Sequence, residues 1–592
     1  MCKKGFGLLE SLIGVTVFMV IAISVYGIFA RLLEGTNYSE SKISAAALAS
    51  EQIEIIRNLP YSDVGLVSGI PPGKVQPTLN VARSGDNFTV RATIRNIDDP
   101  FDGTLGGTPN DLSPADYKLV QIDITCETCK NFSPLYFVTQ VAPKSLETAS
   151  TNGALFVRVF DANGIPVSGA NVHIENNSSS PAIVIDDSTN NDGMLQIVDA
   201  PPGVNAYEIS VTKSGYTSER TYAPGAPSNP NPTKPHATVD VQQVTQLSFT
   251  IDRASTMNAS SLTETCSPVP SIDFSMSGTK LIGTSPDILK YSANHVTDSQ
   301  GRKTISNLEW DTYNLNFVDT LYDLAGSIPL SPIIIDPGAT QDIKFVVSAK
   351  NPSSLLVSVK DAVTGLQLSD ASARLYKSGY DNTLITNRGF IKQTDWSGGP
   401  GQDIFTDQSM YFDSDGNVSD SNPAGELKLE QIFGAYQTSG ILTSSTFDIG
   451  SPGNFHTIEW QPASQPPDTG ALSARFQIAT NNDSATWNFI GPDGTPGTYY
   501  TVSNSNINPV HNNSQYLRYK VFLRTASTTW TPNISDAYIT FTSSCVPPGQ
   551  VFFTGLSNGD YTIDVSRPGY QNYSSTVDIN SSWQSHEATL TP

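Results

Sequence analysis

Clustered cations are missing from this chain of 592 residues. Thirty-four Lys and Arg face 56 Asp and Glu, giving a formal net charge of −22, and no long basic run occurs. Phosphate recognition needs grouped Lys and Arg, so no nucleic-acid partner is expected. The acidity is spread out, as suits the solubility of an exposed protein. Charge of either sign is sparse, at 15% of residues against roughly 25% in typical soluble domains. Histidine is rarer still: His173, His236, His295, His456, His511 and His586 stand singly, none at ligand spacing from another His or a Cys. G-x-S-x-G, H-E-x-x-H, Walker A and Gly-rich dinucleotide signatures are absent. The chain is therefore not expected to be an enzyme, and no cofactor is expected. Only a glycosidase, which needs two carboxylates and no motif, escapes that search.

Ser, Thr, Asn, Gly and Pro fill the space left by charge. That composition suits short strands joined by tight turns and is common in secreted β proteins. The length implies several domains, about four to six. One apolar run long enough to cross a bilayer as a helix extends from Phe6 to about Phe29, behind a short basic start at Lys3 and Lys4. Two features separate it from an ordinary cleaved signal peptide. The small residue Gly5 precedes the apolar run, and a carboxylate, Glu10, sits near its beginning.

Gly5, Phe6 and Glu10 in this order resemble the class III signal of type IV pilins and of type II secretion pseudopilins. The resemblance implies cleavage between Gly5 and Phe6 by a prepilin peptidase, N-methylation of Phe6, and a meeting of Glu10 with the N-terminal amine of a neighbouring subunit. A carboxylate inside a membrane-length helix costs a few kcal/mol unless paired, which gives Glu10 a physical role in setting register. The alternative is a signal anchor whose Glu10 snorkels to the interface. Residues 39–59 continue as helix to Pro60, with Ile43, Ala46, Ala47, Ser50, Ile53 and Glu54 at near-helical spacing and an Ala-rich face expected to pack on the head. Removal of the leader takes Cys2 with it and leaves four cysteines. Cys126 and Cys129 are close enough to bridge locally, and Cys266 with Cys545 would be a long-range pair. A lone C-x-x-C can also be half a zinc site or a redox motif, but no second ligand pair follows it.

Residues 61–148 read as a compact sheet. Phe88, Val90, Ala92 and Ile94 alternate with polar residues, as do Lys118, Val120, Ile122 and Ile124, and Tyr136 to Val141 supplies a third strand. The turn cluster 98–103 holds three carboxylates able to bind calcium, though a solvated loop outweighs that reading. Beyond it an internal repeat appears. VRVFDANGIPVSGANVHI (157–174) parallels LVSVKDAVTGLQLSDASARL (356–375), and APPGVNAYEISVTKSGY (200–216) parallels GLSNGDYTIDVSRPGY (555–570), with a diverged version at 299–317. These segments resemble the carboxypeptidase regulatory-like (transthyretin-like) domain. The resemblance implies β-sandwiches at 149–252 and 253–350 and a split third at 351–378 plus 545–592, acting as spacers.

Between the halves of the split module, residues 379–544 have a different texture and hold four of the six tryptophans, Trp396, Trp460, Trp487 and Trp530. Their alternating strands are similar in texture to jelly-roll, galactose-binding-like and laminin-like modules. Trp487, Tyr499 and Tyr500 flank a loop where rings can stack on sugars or simply pack in the core. Asp413, Asp415 and Asn417 place oxygen ligands at alternate positions around a Gly turn, in part like a calcium loop, but a plain turn outweighs that reading.

The fold expected is mainly β and multidomain: a leader at 1–5, a membrane-spanning and assembly helix at 6–60, the small α+β head, the sandwiches and the inserted jelly-roll-like domain. The function expected is a minor type IV pilin-like surface subunit. It enters the cytoplasmic membrane by its one helix and reaches the cell surface in a filament. Its expected partners are other pilin or pseudopilin subunits, prepilin peptidase, the membrane and surface glycans. Two alternatives stand beside it: a pseudopilin of a type II secretion-like system, and a membrane-anchored carbohydrate-binding or hydrolytic surface protein.

Overall fold

A computed structural model describes residues 7–144, 149–401 and 409–592; of residues 8–11 it describes the backbone alone. The protein is mainly β, with one long N-terminal helix and many sheets forming several β domains. It divides into two compact units, Met1–Ala254 with Leu281–Lys290, and Ser255–Lys280 with Tyr291–Pro592.

Helix α1 runs unbroken over Leu8–Arg57, 50 residues, or about 75 Å at the α-helical rise. Its first half is unpacked: Leu12, Phe18, Ile23 and Leu33 all face outward. Its second half lies on an antiparallel sheet of strands β1 (Thr78–Arg83), β2 (Asp86–Ile97), β3 (Tyr117–Cys126) and β4 (Leu135–Val141), ordered as in sequence. Phe88, Val90, Ile94, Val120, Ile122 and Ile124 form the sheet's inner face against Ala45, Leu48, Ala49 and Ile56. The helix face differs from the one the sequence suggested. Ile43 is 70% exposed and Ala47 and Ser50 face solvent, while Ser41, Ser44, Ala45, Leu48, Ala49 and Ile56 are buried. The spacing of three and four residues is kept, but its phase moves by about one position. Small residues at 41, 44, 45 and 49 let the sheet approach closely, and Leu48 and Ile56 fill the space between. Lys118 ends on the inner face as well; its ammonium donates to the Tyr61 carbonyl at 2.8 Å and sits 4.4 Å from the Tyr61 ring centre.

Three modules repeat one topology. In each, the first strand runs parallel to the last: Gly153–Phe160 with Val244–Thr250, Ser255–Leu262 with Thr340–Ala349, and Ser354–Asp361 with Trp583–Leu590. The first strand also pairs antiparallel with a middle strand, Met194–Ala200, Arg302–Leu308 or Gln550–Phe553. A second sheet closes each core. A buried tyrosine stands in the strand that follows the middle one. Tyr207, Tyr313 and Tyr561 donate their hydroxyls to the carbonyls of Pro201, Glu309 and Ser557, at 2.6, 2.8 and 3.0 Å. A ring on the core side and a hydroxyl tied to the backbone satisfy both ends of an amphipathic side chain.

The third module is interrupted. Tyr380–Ile385 pairs with Ser372–Lys377 in its second sheet, so the host extends past residue 378 to Ile385, further than the sequence suggested. The insert then builds an eight-stranded sheet about a long strand, Phe447–Gln461. That strand pairs with Asp536–Thr542 at one end and Ser514–Arg524 at the other, with register shifts between. The two halves of the sheet close on one core containing Trp396, Trp460, Phe447, Phe476, Tyr519 and Phe541.

Candidate functional site

Period-two alternation organises the insert's most distinctive surface. In Ser514–Arg524, Leu517, Tyr519, Val521 and Leu523 point into the core. Tyr516, Arg518, Lys520, Phe522 and Arg524 therefore fall on the opposite face. Ala474–Asn481 flanks this strand on one side, setting Arg475 against Phe522 and Gln477 against Lys520. Ser439–Ser444 flanks it on the other, setting Ile441 against Phe522 and Thr443 against Lys520. Ile490 and Tyr500 bridge to Ile478 and Phe476 at the free edge, and Gln477 pins that edge by donating to the carbonyls of Pro496 and Thr498 at 2.8 and 2.9 Å.

Rings meet cations across this face. The Arg475 guanidinium lies 4.3 Å from the Tyr499 ring centre, and the Lys520 ammonium 4.3 Å from that of Phe489. Arg518 sits between Phe412 and Trp487, at 4.2 and 4.5 Å. Tyr499 meets Phe522 edge-on at 5.0 Å. Burial, then the neighbouring Arg524, lowers the Arg475 pKa, and its Nε is enclosed without a hydrogen-bond partner.

Of the aromatic residues singled out in the sequence, Trp487 and Tyr499 lie on this face. Tyr500 does not: adjacent residues of an extended segment face opposite sides, and Tyr500 is sealed in the core, its hydroxyl accepting from the Asn508 N–H at 3.0 Å. Asp413 lies opposite Thr443 at the sheet margin. Asp415 accepts the Asn417 N–H at 2.9 Å around Gly416, which has φ +76°. The geometry of these residues is a side-chain-capped turn. Arg475, Lys520 and Arg524 escaped the sequence reading, although Tyr516-x-Arg518-x-Lys520-x-Phe522-x-Arg524 was a readable signal.

The four cysteines form two disulfides, Cys126–Cys129 and Cys266–Cys545. The second joins the loop after Ser255–Leu262 to the segment that returns from insert to host. Asp86 lies beside Cys126 and Cys129 in a potential ligand cluster, but sulfurs bonded to each other offer no thiolate to a metal. Near Cys266, the half-buried Glu264 lines a cavity of about 570 Å³ with Arg388, Lys392, Glu459, Tyr538 and Gln550. Burial pushes the Glu264 carboxyl up to about 7, against the opposing pull of the Phe390 N–H. Gly5 and Phe6 lie outside the described residues, as does the side chain of Glu10.

No protein-family model matches the chain, and no curated protein matches it. Among solved structures it is similar to the Bacillus anthracis TIE protein, 10% identical over 87% of this chain and 73% of that one, with a TM-score of 0.16. It is also similar to GBS52, the minor pilin of Streptococcus agalactiae, 16% identical over 34% of this chain and 99% of that one, TM-score 0.17. The shaft pilin SpaA of Lactobacillus rhamnosus GG is 13% identical over 33% of this chain and 98% of that one, TM-score 0.14. Scores of this size carry no argument about fold or function.

Proposed function

We propose that this chain is a minor type IV pilin-like surface subunit, anchored and assembled through α1 and presenting its β domains as an adhesive head. The observation that carries the reading is the division of labour along one helix. Among the described residues its apolar first half packs against nothing, while its second half is locked onto the β1–β4 sheet. It is long and apolar enough to cross a membrane. A side chain such as Phe18, 71% exposed, needs lipid or a neighbouring helix around it. The Gly5-Phe6 and Glu10 pattern supplies the second support, with cleavage by a prepilin peptidase and pairing of Glu10 with a neighbour's amine. The large head favours a low-copy position, because a bulky head at every helical position would clash.

Mass spectrometry of the mature chain tests the reading. A methylated Phe6 N-terminus is expected; an intact leader, or a cut after the apolar run, would overturn it. Glu10→Ala is expected to leave a folded, membrane-bound protein that does not enter filaments, and normal incorporation of that variant would refute the pairing.

A further inference from the structure

We propose that the outer face of the insert's Ser514–Arg524 strand and its neighbours binds linear anionic polysaccharides. Carboxylate or sulfate groups would be taken by Arg475, Lys520 and Arg524, and sugar rings by Tyr499 and Phe522. This rests on reading the head as adhesive, and it names the chemistry of the ligand.

Charge complementarity selects that class. In a chain with a net charge of −22, these three cations share one sheet face, and among the described residues none of them forms an ion pair with a carboxylate. Arg475 and Lys520 are held against rings, and Arg524 donates to the Ala471 carbonyl at 2.7 Å. Stacking orders a cation without neutralising it, so its charge stays available to an incoming anion. Asp413 and Asp448 lie at the margins of the face, and Asp448 already accepts from the Gln515 amide at 2.9 Å.

Spacing argues for a polymer. Alternate strand residues stand about 6.8 Å apart, which puts Lys520 and Arg524 about 14 Å apart with Phe522 between them. Arg475 sits directly across from Phe522. Cations separated by rings match a chain that alternates charged groups with the flat apolar faces of sugars. A DNA duplex also carries repeated anions, but its outer surface is a phosphate backbone that offers no flat apolar sugar face to Tyr499 and Phe522.

Full-length protein in detergent, passed over immobilised polygalacturonate, heparin, neutral dextran and duplex DNA, tests the proposal. Binding to polygalacturonate or heparin that weakens with added salt, with none to dextran or DNA, is expected. The two anionic arms separate a carboxylate from a sulfate preference. Arg475→Gln, Lys520→Gln and Arg524→Gln together should weaken binding by about tenfold or more. Lys520→Glu alone, at a partly exposed position, should weaken it in the same direction without touching the core. Tyr499→Ala should weaken binding while leaving its salt dependence in place. Failure to bind either anionic polymer, unchanged binding by Lys520→Glu, or equal binding to DNA would overturn the proposal. Phe6 processing and filament assembly read the helix alone, so a negative binding result leaves that reading standing.

Discussion

The repeated modules and the insert both stack cations on rings, but they group them differently. In the modules, Lys234, Lys280 and Arg374 each stack on a ring, and each also pairs with a carboxylate: Glu219, Glu309 and Asp381. Lys213, Arg220, Lys377 and Arg567 stack on rings too, without an ion pair among the described residues, but they are divided between two modules; in the insert Arg475 and Lys520, likewise unpaired, share one sheet face with Arg524. Cations grouped on one face add their fields, whereas cations spread over separate modules act singly. The two regions differ in architecture in the same sense. Each module closes its sheets with parallel first and last strands and a tethered tyrosine, while the insert hangs its sheets on one bent strand.

If the insert is an independent folding unit, a core lesion in it should spare the modules. Trp460 is 2% exposed and stacks on Phe476 at 4.6 Å. Trp460→Ala is expected to cost about 3–5 kcal/mol. Calorimetry should show one transition shifted down and the module transition unmoved. A single transition moving as a whole would merge the two regions into one cooperative unit.

The Cys266–Cys545 disulfide sharpens the comparison next, since it closes a 279-residue separation around the junction. Replacing both residues by Ser is expected to cost about 2–5 kcal/mol, whereas Cys126→Ser with Cys129→Ser should cost less, because a three-residue separation removes little freedom from the unfolded chain. Urea titrations of the two double variants test the order, and equal losses would contradict it.

Acid should then separate the regions further. Burial lowers His511 to about 4, and burial with the nearby Arg388 lowers His456 to about 4. Both are neutral in the folded insert, so their stabilising effect is present above their ordinary pKa near 6.5 and is lost as pH falls from there to 4. His511 is almost fully enclosed, its Nδ1 3.0 Å from the Thr480 hydroxyl, and should account for about 3 kcal/mol of that loss. In the split module Asp361 is held at about 2, first by the Thr364 N–H, then by the Tyr570 hydroxyl, so its stabilising effect persists to lower pH. His295 and His586 are lowered as well, so the modules share part of the acid response. Melting scans at pH 7, 5 and 4 should show the insert falling first, and His511→Asn should blunt that fall.

Period-two patterns made the head strands and much of the modules legible, because one buried face leaves an alternating trace: Phe88, Val90, Ala92 and Ile94 are all buried. The repeat of Tyr207 at Tyr561 was visible in the same way. The buried face of α1 was misplaced because Ala and Ser populate both candidate stripes, and only the sheet decides between them. Tyr499 and Tyr500 could not be told apart until the Tyr500–Phe476 bridge fixed which of the two faces inward. The basic face was missed because it needs three strands in register, with Arg475 brought to Phe522 from 47 residues away.

The smallest effect expected tests whether the modules are equivalent. Tyr207→Phe, Tyr313→Phe and Tyr561→Phe each remove one hydroxyl and leave a ring in place, so each should cost about 0.5–1.5 kcal/mol. Tyr561 should lie at the upper end, because its hydroxyl also accepts the Ser557 N–H at 3.2 Å. The three tyrosines belong to different cores, so the triple variant should lose the sum of the single losses to within about 0.5 kcal/mol. A shortfall larger than that in denaturant titrations would mean that the modules unfold separately, each exposing only its own tyrosine. An excess would mean that their cores are coupled.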